Sequence, residues 1–349
     1  MKTLVKCLFV IPLFFLACHE NEITSTPEQE KNPLGLEEMK LEPVGASVKN
    51  SLFSKTSDKK SSIQDFAAAL NEQLSEYNIQ LAKMELLEYE GAGITVNFRA
   101  VGNKQLGADF VPDDPRNFFP GTDQLFWTDG TEQGTVGSEY SMTPEETLIA
   151  TNSAINTWGS INCSEDLNFY NVYTTTPYDI YRDVGVFQRA LNMGGAGWRI
   201  TGSILHGGNL PAAFFEALRE DGGTRTLGVT FTYIWFDGPG PDREPTDIDQ
   251  NGKRDVAFRE IYINGSRNFK DDPNDVTNNG YADYETVMLH EIGHGLSQGH
   301  FGKAFEGKNG KTHYAPFALM NAGYSKAQRE ITATDNAGHC SIWDGWPYE

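Results

Sequence analysis

Cysteine is scarce in this chain, with four in 349 residues, and none falls between Cys163 and Cys340. A cysteine-built structural metal cluster is therefore excluded from that whole stretch. Basic residues are also few, 28 Lys and Arg against 48 Asp and Glu, for a formal net charge of −20. A chain this acidic does not bind nucleic acid by neutralising phosphates, so nucleic-acid partners are excluded. Its charge favours solubility and attracts divalent cations. The one long apolar run, Leu8 to Leu16, falls short of the ~18 residues that a membrane-spanning helix needs. No internal repeat is visible, which excludes a solenoid or propeller. Aromatic residues are not lacking: at 12% they suffice for a packed core, and the length suits one large domain with a smaller one.

The first seventeen residues read as a secretory signal, with Lys2 and Lys6 ahead of the apolar run. Ala17-Cys18 resembles a bacterial lipoprotein cleavage site, which would leave a lipid on Cys18. The other reading is an ordinary signal peptide with an incidental cysteine. Either way the expectation is export: anchored at the bacterial outer membrane or cell surface, or secreted, with the lipid as the sole membrane contact. In an oxidising compartment Cys163 and Cys340 can pair, or stay as two buried thiols. Residues 18–60 are polar and rich in Pro, Ser, Lys and Glu, and read as a flexible tether.

Histidine is rare too, seven in all, yet three stand close together in HEIGHGLSQGH, as His290, His294 and His300. Residues four apart share a helix face, so His290 and His294 can grip one metal from a single segment. Glu291 is one step round the helix, placed to reach a water without being a ligand. Three protein ligands leave a fourth position open, as catalytic zinc sites do.

The run resembles the HExxHxxGxxH signature of the metzincin metallopeptidases. Met320, in FALMNAGY, looks like the family's Met-turn, and DYETVMLHEIGH resembles the opening of the active-site helix in matrixin-like members. The resemblance implies zinc ligands His290, His294 and His300, a general base Glu291, and Met320 under the metal. One departure stands out: Ser297 occupies the position of the family glycine, flanked by Gly295 and Gly299. His313, His339 and Glu306 are the reserve ligands. Family members often carry a pro-segment with a cysteine latch. No Cys lies between 18 and 163, which leaves Asp113 or Asp114 as a carboxylate substitute or as part of a Pro-bounded turn.

A second metal is suggested by DIDQNGKRD. Asp247, Asp249, Asn251 and Asp255, with Gly252 at the bend, match the front of a calcium loop. Position twelve is Phe258 where Glu is expected, so the loop would borrow a ligand such as Glu260 or Asp271, or be a solvated acidic turn.

The layout expected is a signal peptide (1–17), a tether (18–60), a small N-terminal module (61–120) that could be a pro-segment, and a metallopeptidase domain (121–349). Residues 62–90 look helical, with Phe66, Leu70, Leu74, Tyr77 and Leu81 at steps of three and four. Strands are read at 94–101, 167–173, 227–236 and 257–265. Thr143-Pro144-Glu145-Glu146 starts a helix running to about Ile161. The active-site helix starts near Asp283. The fold class is α/β (α+β): a metzincin-like mixed twisted sheet with a backing helix and an active-site helix. By resemblance, 258–263 is the sheet edge that pairs with substrate, unless it is an ordinary paired strand.

The function these readings imply is zinc-dependent hydrolysis of peptide bonds in a protein or peptide, by a monomer. The alternatives are an exported metal-stabilised adhesin or peptide-binding module without catalysis, and a zinc hydrolase of glycan or lipid. Pro316, Phe317 and Tyr324 are the residues expected to shape the pocket beside the scissile bond.

Overall fold

The structure is a computed structural model. It describes residues 36–44, 60–89, 91–98, 107–116, 125–127, 141–164, 167, 169–171, 185–194, 198–200, 205–238, 243–274 and 280–346. The signal segment and Cys18 lie outside the described residues. No helix among the described residues is long and apolar enough to cross a membrane.

In chain order the strands are β1 (Leu36–Glu38), β2 (Ile79–Tyr89), β3 (Ile94–Asn97), β4 (Ala108–Asp109), β5 (Leu125–Trp127), β6 (Phe169–Asn171), β7 (Trp198–Ile200), β8 (Leu205–Leu210), β9 (Thr226–Trp235), β10 (Arg254–Asn264), β11 (Phe269–Lys270), β12 (Ala282–Asp283), β13 (Lys303–Glu306), β14 (Thr312–Ala315) and β15 (Gly323–Tyr324). The α-helices are α1 (Lys60–Leu74), α2 (Pro144–Gly159), α3 (Val186–Ala190), α4 (Ala212–Leu218), α5 (Gly222–Arg225), α6 (Tyr284–Gly295) and α7 (Ala333–Trp343). The class is mixed α/β, as expected. Seven strands share one sheet, ordered β15-β2-β9-β10-β4, with β3 beside β2 and β8 beside β10. β9 runs antiparallel to both β2 and β10, whereas β8 and β4 run parallel to β10.

The central strands β2, β9 and β10 are buried on both faces. Met84, Leu86, Val229, Phe231 and Tyr233 pack with Phe66 and Leu70 of α1 and with Phe187 of α3 and Phe214 of α4. On the other side, Leu87 and Ile261 pack with Val287, Met288 and Ile292 of α6, and Trp158 of α2 joins them. Trp158 Nε1 donates to the Leu289 carbonyl at 2.8 Å, and Trp343 Nε1 of α7 donates to that of Leu296 at 2.9 Å. Both indoles thus satisfy carbonyls of the α6 region while filling the core. Cys163 and Cys340 form a disulfide that ties the turn after α2 to α7. Helix α2 begins as read: Thr143 caps it and completes a reciprocal capping box with Glu146.

Three expectations need correction. The helix at 62–90 stops at Leu74, and Ile79–Tyr89 is a strand. Asn78 takes a left-handed conformation (φ 55°) and breaks the run. Because β2 is buried on both faces it shows no alternation, so its leucines imitated a continued helix period. Second, 258–263 is no sheet edge: β10 is hydrogen-bonded to β8 on one side and β9 on the other. Third, part of the stretch read as tether is docked. β1 pairs with β7, and Met39 and Leu41 are buried beside α1 and α3. Gln73 clasps the Glu42 backbone, accepting from its N–H at 2.7 Å and donating to its carbonyl at 3.0 Å. Two apolar residues in a polar run suffice to seat it. The region 61–120 supplies β2 to the same sheet as β9 and β10, and 34–349 forms one compact unit.

Candidate metal centre

Helix α6 is fixed at its start by charge. The Asp283 side chain caps it, accepting from Thr286 N at 3.0 Å and Thr286 Oγ1 at 2.6 Å. Arg329 bridges Asp283, Asp271 and Glu285, locking three carboxylates near the positive end of the helix. All twelve residues of α6 are buried. Gly293 is required there: a Cβ would stand 2.4 Å from Met320 Sδ and 2.9 Å from Trp158 Cζ2. Met320 therefore packs against the helix at Gly293, the residue before His294. Its loop is held by Asp335, whose carboxylate accepts from Leu319 N at 2.8 Å and Met320 N at 3.1 Å.

The three histidines of the motif come together. Ring centroids are 4.7 Å apart for His290 and His294, 5.3 Å for His290 and His300, and 4.7 Å for His294 and His300. They form a group able to hold one cation. Every Nδ1 is engaged: His290 with the Leu319 carbonyl at 2.8 Å, His294 with that of Gln298 at 2.8 Å, His300 with Thr95 Oγ1 at 2.9 Å. Every Nε2 is buried and has no hydrogen-bond partner. For His290 and His294 the carbonyl at Nδ1 fixes the tautomer that leaves Nε2 as a lone-pair donor, which is how metal-ligating histidines are oriented; the Thr95 hydroxyl at His300 Nδ1 is compatible with the same tautomer. Burial lowers the proton affinity of all three, most for His294 and His300, so the rings are neutral near pH 7. Three neutral imidazole nitrogens within 4.8 Å of one another are a donor set that could hold a metal ion.

Ser297 adopts the left-handed conformation at φ 71°, the one the missing glycine would take. Arg259, itself buried, explains the tolerance. Its guanidinium donates to the Gly295 carbonyl at 2.7 Å and to Ser297 Oγ at 3.0 Å, closing the C-terminal end of α6. Burial pushes its pKa down to about 10, leaving it charged at neutral pH.

Glu291 is fully buried. Its Oε2 accepts from Thr230 Oγ1 at 2.6 Å, and its Oε1 has no partner. Gly228 makes the space, since a Cβ there would lie 2.5 Å from Glu291 Oε1. Burial raises the Glu291 pKa well above the usual carboxylate range, against the Thr230 bond that lowers it. The carboxylate is not in the histidine group, as a non-ligand base requires.

Sequence reasoning missed Glu85 and Lys83 of β2. Glu85 Oε2 lies 3.3 Å from His294 Nδ1 and 2.6 Å from Lys83 Nζ, with both side chains nearly sealed from solvent. Two charges inside an otherwise apolar run, AKMELL, were the available signal. The reserve ligands are elsewhere. His313 is exposed against Phe305, Glu306 is exposed, and His339 is buried beside Trp158 with Nε2 2.9 Å from Ser164 Oγ. Asp114 is no latch either: Arg116 takes both its oxygens at 2.7 Å. Phe317 and Tyr324 do line a pocket with His290 and Leu319, whereas Pro316 does not.

A search against known protein families matches none, and a search of curated proteins returns no relative. The chemistry must therefore be read from the residues themselves.

The acidic loop is partly assembled. Asp247, Asp249 and Asp255 bring carboxylate oxygens together, and Asp249 is raised to about 6, chiefly by burial. Asn251 turns its amide nitrogen to Asp249 at 2.9 Å and to Asp109 at 3.1 Å, a carboxylate the sequence did not suggest. Arg116 pairs with Asp255 at 2.9 Å and Lys253 with Asp109 at 2.7 Å, so cations of the chain already offset part of the charge. Neither proposed extra ligand is free to join. Glu260 accepts from Val186 N, Phe187 N and the Tyr233 and Tyr262 hydroxyls, and Asp271 is bound by Arg329. Phe258 is buried against Tyr233.

Proposed function

We propose that this chain is a zinc-dependent endopeptidase, with His290, His294 and His300 as ligands and Glu291 as general base. The observation that carries this reading is the trio of buried Nε2 atoms with no hydrogen-bond partner, each on a ring whose Nδ1 is bonded. The likeness of 283–324 to the metzincin motif supports it. An ion held there supplies Lewis acidity, which makes water acidic enough to lose a proton near neutral pH and polarises a carbonyl.

The protein's own groups do the rest. The three histidines bind and orient the ion. Thr230 pins one Glu291 oxygen and leaves Oε1 to take a proton from the attacking water. As the carbon–nitrogen bond breaks, Oε1 returns that proton to the leaving amine nitrogen, so the carboxylate ends as it began. Gly228 keeps room for this movement. A purely structural metal site, as in the rival reading of an exported binding module, has no use for an unpartnered carboxylate oxygen sealed beside its ligands.

The test is a paired measurement on the purified chain. Glu291→Gln retains one equivalent of zinc and loses chelator-sensitive peptide cleavage, whereas His294→Ala loses the zinc. Stoichiometric zinc in His294→Ala, or undiminished cleavage by Glu291→Gln, overturns the assignment.

A further inference from the structure

The chain is acidic, yet the stretch that follows the histidine motif is positive. Between 301 and 326 stand four lysines, Lys303, Lys308, Lys311 and Lys326, and a single carboxylate, Glu306, in a chain where Asp and Glu outnumber Lys and Arg 48 to 28. All four lysines are exposed, and none has a carboxylate partner among the described residues. Lys326 instead lies over the Phe317 ring, 4.5 Å from its centroid. Unpaired charges of one sign raise a local positive potential against the negative field of the rest.

Three of the lysines belong to the hairpin of β13 and β14. Its strands pair antiparallel, with Lys303 opposite Ala315 and Phe305 opposite His313. These four residues share one face, because side chains alternate along a strand, and all four are exposed. Phe305 is 50% exposed, its ring stacked on that of His313 with centroids 5.7 Å apart. Glu306 and Tyr314 point to the other face, where the Tyr314 hydroxyl donates to the Gly91 carbonyl at 2.9 Å. The turn that presents Lys308 and Lys311 is closed by Gly307 N, which donates to the Lys311 carbonyl at 2.8 Å, and by Gly310 at φ 74°. The root is clamped to the metal loop. Asn321, next to Met320, donates through Nδ2 to the Phe301 carbonyl at 2.8 Å and the Pro316 carbonyl at 3.2 Å, so one side chain holds both ends. Phe301 N donates to the Met320 carbonyl at 2.7 Å. A ridge held in this way loses little freedom when a partner docks on it.

We propose that the β13–β14 hairpin is a docking ridge for an acidic stretch of the polypeptide substrate. Lys303, Lys308 and Lys311 meet its carboxylates, and the Phe305–His313 face packs on its apolar atoms. The position of the root favours substrate over any other anion. The hairpin starts three residues after His300 and leads into Phe317, which lines the pocket beside His290. A chain lying along the ridge is therefore continuous with the part that reaches the histidines. Strands of four residues extend about 13 Å at ~3.3 Å per residue, so an extended peptide meets the tip about four residues from the broken bond. This inference rests on the endopeptidase reading of the same site.

The test uses the full chain loaded with zinc. The probes are a labelled glutamate-rich peptide and its counterpart with glutamine at the same positions. Fluorescence anisotropy on the Glu291→Gln variant measures binding without turnover. The glutamate peptide binds about tenfold more tightly, roughly twofold for each exposed lysine–carboxylate pair, although the net charge of −20 opposes it. The preference vanishes in ~1 M salt, where the screening length falls to about 3 Å. It vanishes equally when Lys303→Gln, Lys308→Gln and Lys311→Gln are combined in a chain that keeps its zinc. Cuts made by the wild type in a mixed peptide library carry Asp or Glu about four residues from the broken bond, on one side of it. Equal binding of the two peptides, or a preference that survives the triple substitution, overturns the proposal and leaves the metal assignment standing. Capture of phosphatidylglycerol vesicles through the same lysines, with no preference between the peptides, overturns it too. A zinc-loaded wild type that cuts no peptide overturns the endopeptidase reading and the proposal with it.

Discussion

Ser297 offers a contest between two opposing terms of similar size. The left-handed backbone at φ 71° costs a residue with a Cβ roughly 1–2 kcal/mol relative to glycine. Against this, the hydroxyl accepts from the buried Arg259 guanidinium at 3.0 Å, a bond to a charged group worth about 1.5–3 kcal/mol. Ser297→Ala removes the bond and keeps the strain, so it costs about 2 kcal/mol. Ser297→Gly removes the bond, relieves the strain, and adds about 0.5–1 kcal/mol of chain entropy in the unfolded state. It costs about 1 kcal/mol, less than alanine. Urea denaturation of the two variants and the wild type measures both differences. A glycine variant more stable than the wild type, or an alanine variant equal to it, would show that the Arg259 bond contributes nothing and refute this account of the missing glycine.

Two further outcomes follow from the core around α7. His339 is pushed down to about 4 by burial, below the ~6.5 of an unfolded chain. The unfolded state therefore binds the proton first; stability is full above about pH 6.5 and declines by up to about 3 kcal/mol as pH falls toward 4. His339→Gln flattens that part of the urea stability profile, and an identical slope in wild type and variant would contradict the burial argument. The Cys163–Cys340 disulfide closes a separation of 177 residues, for which the chain-entropy treatment gives about 5 kcal/mol. The double Cys→Ser variant melts well below the wild type, and an unchanged melting temperature would show that packing against Trp158 and Trp343 carries that junction alone.

Local signals were legible. The caps at Thr143 and Asp283, the paired histidines and Met320 depend on spacings of a few residues, which sequence displays directly. Long-range partners were hidden. Nothing near Ser297 announces Arg259, 38 residues away on β10. The β2 hairpin was illegible for a physical reason: a strand buried on both faces loses its alternation and borrows the look of a helix. Its charges, Lys83 and Glu85, make sense only once the strand is laid against β9 beside His294. The edge position of 258–263 rested on the family resemblance alone, and the pairing on both sides of β10 is set by segments far away in sequence.

Zinc K-edge absorption spectroscopy on the purified full chain tests the central claim most directly. It should report three nitrogen neighbours at about 2.0–2.1 Å from one bound ion, falling to two in His300→Ala. A spectrum without imidazole scattering, or one unchanged by that substitution, would contradict the metal site on which the function rests.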